Sequence, residues 1–276
     1  LNSIPHQLQS LTNTNLQWAI NSVKRFPQLQ SSPRRTFQTK RAKYDLYSLW
    51  HNELTKNTQV FIVTGGASGI GKELVQILYS HNAKIYLAAR SSEKAATAIE
   101  SIKTSFPESK GELVYLHLDL DDLTTIKASA QEFLNKEQRL DVLWNNAGVM
   151  VPPQGSKTKQ GYELQLGTND VAPFLFTKLL TPTLVKTAKE SSPGAVRVVW
   201  VSSSIAEGAS PEGGLDLSNL DYKKDQGAWH KYAVSKAGNI LHSKEFAKRY
   251  GSDGVISVVC SFIVPTLRFL LMAQSL

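Results

Sequence analysis

A chain of 276 residues with 41% hydrophobic and 20% charged residues has the make-up of a globular protein, long enough for one large α/β domain or two small ones. Its single cysteine, Cys260, excludes an intramolecular disulfide and a cysteine-based metal site, and suits a reducing compartment. The net charge is +8, but residues 1–50 carry seven basic side chains against one acid, Asp45, so only +2 is left for the other 226 residues. No basic stripe with interleaved aromatics follows, which argues against nucleic-acid binding, and no stretch approaches the roughly 20 apolar residues of a membrane-spanning helix.

Residues 1–55 read as a basic arm rich in Ser, Gln and Arg, with Leu16, Ile20 and Val23 at helical spacing. Two readings fit: a solvated arm or outer helix of a cytoplasmic protein, or a mitochondrial transit segment.

From residue 58 the pattern becomes apolar strands alternating with amphipathic helices. TQVFIVTGG (58–66) predicts a buried strand running into a glycine-rich turn, and KELVQILYSHN (72–82) the helix after it. A second strand is KIYLAAR (84–90), with a helix over 92–106; a third is ELVYLHLDL (112–120), with a helix over 122–137. LDVLWNNAG (140–148) is the fourth strand, followed by a long helical segment over 163–190. AVRVVWVSSS (195–204), a helix over 230–251 and GVISVVC (254–260) complete the series. Short, continuously apolar strands separated by helices imply a parallel sheet covered on both faces. The fold class is therefore α/β: a doubly wound Rossmann sheet in three αβα layers, spanning 56–260.

TGGASGIG (64–71) lies between the first strand and the first helix. Gly65 permits a tight turn, Gly69 lets backbone approach a pyrophosphate, and Gly71 lets helix pack closely on strand. The pyrophosphate would sit at a helix N-terminus, where free N–H groups and the dipole favour it. A purely structural turn could use the same glycines; the strand–turn–helix setting favours the cofactor. The second strand ends in Ala89 and Arg90, with no acid until Glu93. Arg90 suits a 2′-phosphate, so NADP(H) is favoured over NAD(H). Its bland alternative is a surface arginine opening the next helix.

TGGASGIG, NNAG (145–148) and Tyr232-Ala-Val-Ser-Lys236, in this order and spacing, resemble the short-chain dehydrogenase/reductase family over roughly residues 58–260. IYLAAR (85–90), LDLDD (118–122) and GYELQLGTN (161–169) are similar to its retinol-dehydrogenase-like branch and fungal relatives. The resemblance implies cofactor contacts at Thr64, Gly65, Ser68, Gly69, Ile70 and Gly71, at Arg90, at Asp119 and Leu120 by the adenine, and at Asn146, Ala147 and Gly148. It also places Asn145 and Ala147 beside the adenine ribose and in support of the central sheet. The implied catalytic set is Asn169, Ser203, Tyr232 and Lys236, the last two also touching cofactor. Ser202 is the alternative within the three-serine run, and Asn169 would kink its helix and anchor a water.

Tyr232 and Lys236 are i and i+4 on one helix and share a face. A free tyrosine titrates near 10, too high for a base at neutral pH; the lysine charge, with the cationic nicotinamide, is expected to lower it. The long Ser203–Tyr232 interval reads as an inserted loop over the substrate mouth, with Trp229 and His230 beside the catalytic helix.

In the family the sixth strand leads to a Pro-Gly turn, a threonine holding the nicotinamide carboxamide, a substrate lid, a seventh strand and a last helix. Here SFIVPTLRFLLMAQSL (261–276) follows, with no Pro-Gly and no motif around Thr266. Residues 261–276 are thus expected to be an atypical tail, and the sheet to lack its last strand and helix. The tail reads either as a retained intron or wrong gene model, or as a natural short form whose apolar tail covers the sheet edge. The expected activity is NADP(H)-dependent interconversion of an alcohol and a carbonyl on a lipophilic small molecule. The alternative is a catalytically impaired or silent NADP-binding protein; an epimerase on the same fold would need room for a sugar domain. A homodimer could pair through 167–190 and 230–250.

Overall fold

The computed structural model describes residues 59–262 and 269–272. The arm expected over 1–55, and Thr266 in the tail, lie outside the described residues.

Seven strands form one sheet in the order β3-β2-β1-β4-β5-β6-β7. They are β1 (Val60–Thr64), β2 (Lys84–Ala89), β3 (Glu112–His117), β4 (Val142–Asn145), β5 (Arg197–Ser203), β6 (Ile256–Phe262) and β7 (Phe269–Met272). Strands β1 to β6 pair in parallel. The helices are α1 (Gly69–Ser80), α2 (Ser92–Ser105), α3 (Leu123–Lys136), α4 (Leu164–Leu166), α5 (Ala172–Lys189), α6 (Ile205–Ala209) and α7 (Ala228–Tyr250), with a π-turn at Gly167–Val171 between α4 and α5.

Alternation along β1 divides the core. Val60 and Ile62 face a cluster that includes Leu116, Leu143, Trp200, Phe133 of α3 and Phe176 of α5. Phe61 and Val63 face Leu74 and Leu78 of α1 and Ile102 of α2. Both faces are buried, which is why the strands read as continuous apolar runs. Sequence order reverses between β1 and β4, so the loops after these two strands diverge and leave a crevice at their C-terminal ends, the usual ligand position in such sheets. All the expected motifs stand on that edge.

The expectation that the sheet ends at β6 is corrected by β7, which runs antiparallel to β6 with Val259 opposite Met272 and Phe262 opposite Phe269. An open edge on β6 would leave a row of N–H and C=O groups unpaired, and the tail meets them. Its geometry is that of a strand covering the edge.

At the other end of β1 and β4, the Asp141 carboxylate is fully buried. It accepts from Val60 N (2.8 Å) and from Arg139 Nε (3.0 Å) and Nη2 (2.5 Å). Removing it leaves the Val60 amide without its acceptor, while the part-exposed Arg139 guanidinium can turn to water. Asp141→Ala is therefore expected to lower unfolding free energy by roughly 1–3 kcal/mol in denaturant titration.

Candidate active site

The turn after β1 is built for close approach. Gly65 and Gly69 have φ of +69° and +53°, conformations that side-chain-bearing residues rarely adopt. A Cβ at Gly71 would lie 2.3 Å from the Gly65 carbonyl oxygen, so α1 can start against the turn only as glycine. Ser68 stands at the N-cap of the twelve-residue α1 without a side-chain capping bond, and residues 68–70 are exposed. First-turn amides with no side-chain cap, beside an open surface, fit a pyrophosphate.

Thr64 has a different task. Its hydroxyl donates to Trp144 O (3.1 Å) and accepts from the amides of Asn146 (3.0 Å) and Ala147 (2.9 Å). Asn146 Nδ2 returns a bond to Thr64 O (2.8 Å). The two signature loops are thus stitched together at the crevice. Asn145 is buried and donates to Thr177 Oγ1 (2.8 Å), which ties the sheet to α5. Its expected place beside the ribose is corrected: the side chain points into the core, and only its support of the sheet stands. Leu120 likewise packs in the core, so only its backbone can face a ligand. Arg90 is exposed at the end of β2; Asp119, just beyond β3, accepts from Asp121 N (3.0 Å).

Asn169 lies within the π-turn, where Ala172 N reaches back five residues to Gly167 O. The sequence supplies a cause: Pro173, four residues after Asn169, has no N–H with which to continue the α ladder. The Asn169 carboxamide accepts from Val149 N (2.7 Å) and donates to Val149 O (2.8 Å) and Ser235 Oγ (3.0 Å). One side chain thus fixes the NNAG loop against the helix that carries Tyr232.

The three serines separate cleanly. Ser202 is buried and donates to Lys236 O (2.8 Å), holding α7 against β5. Ser203, the next residue of β5, is the serine whose hydroxyl acts on the Tyr232 phenol, and Ser204 is the N-cap of α6. The strand register therefore places Ser203, not Ser202, at the phenol. Lys236 is buried, with Nζ donating to Val201 O (3.0 Å) and standing 5.7 Å from the Tyr232 ring centroid.

Burial moves the two titrating groups in opposite directions. It pushes the Tyr232 phenol up, and the Ser203 hydroxyl draws it only partly back. The expected lowering is not found in the chain without cofactor, because desolvation disfavours phenolate more than that hydroxyl favours it. Burial also depresses Lys236 to about 8, opposed by the negative charge of Asp170.

Asp170 has no place in the sequence-based site. It follows Asn169 in the π-turn, and its Oδ1 lies 2.5 Å from His242 Nε2, both side chains buried. The imidazole lies between the rings of Phe174 and Trp200, each 5.2 Å away. The carboxylate packs against Gly238, where a Cβ would overlap it at 2.2 Å. The available signals were Gly238 and His242, two and six residues after Lys236; neither marks a site without the partner helix.

A family model for short chain dehydrogenase matches residues 59–214. A short-chain dehydrogenase/reductase of Phomopsis amygdali is 61% identical over 202 residues, covering 72% of this chain and 60% of the relative. The short-chain dehydrogenase/reductase pkfC of Emericella nidulans is 56% identical over 196 residues, covering 71% and 62%. Among solved structures, the RhlG/NADP active-site complex of Pseudomonas aeruginosa is 25% identical with a TM-score of 0.56, over 73% of this chain and 70% of that one. The fold and the crevice define a Rossmann-type dinucleotide architecture. The chain belongs to the short-chain dehydrogenase/reductase family, and its matches span about 60% of the length of these two curated relatives.

The Lys236 value has a consequence for stability. Its pKa is 10.5 in an ordinary setting and about 8 in the fold. The unfolded chain binds the extra proton between these values, so the contribution is fully present above pH 10.5 and is lost as pH falls through 8. Wild type is expected to gain on the order of 3 kcal/mol relative to Lys236→Met between the two ends of that window, read from paired thermal melts.

Proposed function

We propose that the chain carries the cofactor and acid–base site of an NADP(H)-dependent oxidoreductase that interconverts an alcohol and a carbonyl on a lipophilic small molecule. One observation carries the reading: the ammonium of the buried Lys236 stands 5.7 Å from the centroid of the Tyr232 ring, held there by Val201 O. When bound, the dinucleotide supplies or takes the hydride. The N-terminus of α1 would hold its pyrophosphate, Arg90 its 2′-phosphate and Asp119 its adenine edge, with the backbone of Ala147 and Gly148 alongside. The Ser203 hydroxyl orients the substrate oxygen toward Tyr232. Tyr232 gives that oxygen its proton during reduction and takes it back during oxidation.

At neutral pH a raised phenol is protonated and a lysine near 8 is largely charged, the pairing needed to protonate a carbonyl oxygen. Asn169 keeps the loop and helix in register, so positioning carries much of the rate. Ile70, Met150 and Trp229, exposed apolar residues on the loops and helix ends of this edge, support a lipophilic substrate, as does the retinol-dehydrogenase-like resemblance. NADP in the RhlG complex supports the choice of dinucleotide, as does the absence of an acid at the end of β2. No described helix is long and apolar enough to cross a membrane.

A ligand at 100 times its Kd adds about 2.7 kcal/mol, or roughly 5–10 °C for a domain of this size. NADPH is expected to raise the melting temperature by that order and NADH by much less, with Arg90→Ala erasing the difference. Equal shifts with both would remove the assignment of Arg90. Tyr232→Phe is expected to keep the NADPH shift and lose carbonyl turnover by at least about 10²-fold. A silent NADP-binding chain would show the shift and no turnover in wild type.

A further inference from the structure

Lys231 immediately precedes Tyr232, and its aliphatic and charged parts are both enclosed; the residue is 5% exposed. Its Nζ donates to Asp225 Oδ1 at 2.7 Å and lies 5.3 Å from the centroid of the Tyr222 ring. Asp225 Oδ2 accepts from Gln154 Nε2, which also reaches Gln226 O (3.4 Å). The Asp225 carboxylate thus joins Lys231, at the start of α7, to Gln154 in the loop after β4.

The segment that Lys231 holds is also closed on itself. Asn219 donates to Lys224 O (2.8 Å) and accepts from Lys224 N (2.9 Å), and between them Tyr222 takes a φ of +51°. A second clamp lies beside the first. The buried Gln165 accepts from Val151 N (2.9 Å) and donates to Ala228 O (2.9 Å), so a single carboxamide spans the two backbones. The residues next to those two anchor points are Met150 and Trp229, 60% and 56% exposed. Trp229 stands edge-on to the Tyr232 ring, with centroids 6.4 Å apart.

The energetics say what Lys231 is for. The Asp225 side chain is 65% exposed, and ion pairs of that kind add little to global stability. A buried ammonium, by contrast, costs several kcal/mol in desolvation unless its bonds are met. A lysine kept in so costly a place beside the reacting residue, paired to a loop acid, acts on the position of the loop and not on the stability of the fold.

We propose that Lys231 is a specificity-determining positioning residue: it fastens the 219–227 segment and the 150–156 loop to the catalytic helix, so that Met150 and Trp229 form a fixed apolar rim at Tyr232. This rests on the oxidoreductase reading above. A flat, apolar carbonyl compound would pass between the two side chains, and its bulk would be selected there before it reached the phenol.

The test compares wild type, Lys231→Met and Lys231→Arg, with Asp225→Asn breaking the same pair from its exposed side should the buried change impair folding. NADPH-linked turnover of a small aliphatic ketone and of a bicyclic aromatic ketone is measured, with amide exchange over 219–228. The Met variant is expected to speed exchange there about tenfold. It should raise KM for the bicyclic ketone by about tenfold more than for the small one. On the small ketone kcat should hold, the NADPH melting shift should persist, and the arginine variant should recover most of the loss. Unchanged exchange, or KM rising equally for both ketones, overturns the role of Lys231. No wild-type turnover with either ketone defeats the oxidoreductase reading instead, and the specificity role with it.

Discussion

The site depends on keeping the lysine ammonium of Lys236 out of water. Burying such a group costs several kcal/mol unless its hydrogen bonds are met and an opposite charge stands near. Val201 O meets one bond, and Asp170 supplies the charge. Both conditions require α7 to lie at a fixed distance from β5 and from the π-turn. Ser202 sets the first distance through Lys236 O, and Gly238 sets the second by admitting the Asp170 carboxylate. Asn169 then adds the NNAG loop to the same assembly through Val149 and Ser235. Without Val201 O the ammonium would lack its acceptor, and without Asp170 its opposing charge.

The same low-dielectric pocket acts on Tyr232. Desolvation disfavours phenolate and ammonium alike, so it raises one pKa while it depresses the other. The cofactor-free chain therefore sits at neutral pH with a protonated phenol beside a lysine close to its own titration. This is a proton donor awaiting an acceptor, and the cationic nicotinamide ring of the oxidised dinucleotide is what would turn it into a base. In the proposed complex the cradle, whose glycines admit backbone where side chains would collide, would hold the pyrophosphate at the crevice where β1 and β4 diverge.

Much of this was legible in the sequence, because strands buried on both faces write themselves as unbroken apolar runs. Glycines at fixed offsets after the first run, and Tyr232 and Lys236 one helical turn apart, carry their own geometry. What was not legible depends on contacts between distant segments. Asn145 reads as a cofactor neighbour until Thr177, 32 residues on, takes its amide. Asp170 and His242 are ordinary residues of two amphipathic helices until the helices cross. Tyr232 was expected to be lowered because a charge at i+4 is visible in the chain, whereas the depth of its burial is not. The tail carried no family pattern, yet any extended apolar run can meet an open strand edge, and β7 does so.

The central claim is that burial holds Tyr232 protonated until the dinucleotide arrives. It is tested most directly by an ultraviolet difference titration of wild type against Tyr232→Phe, with and without NADP⁺. The account predicts ionisation of Tyr232 above that of an ordinary tyrosine in the free chain, and a clear fall when NADP⁺ is bound. A free-chain midpoint already below 10, or one that NADP⁺ leaves unmoved, would contradict it.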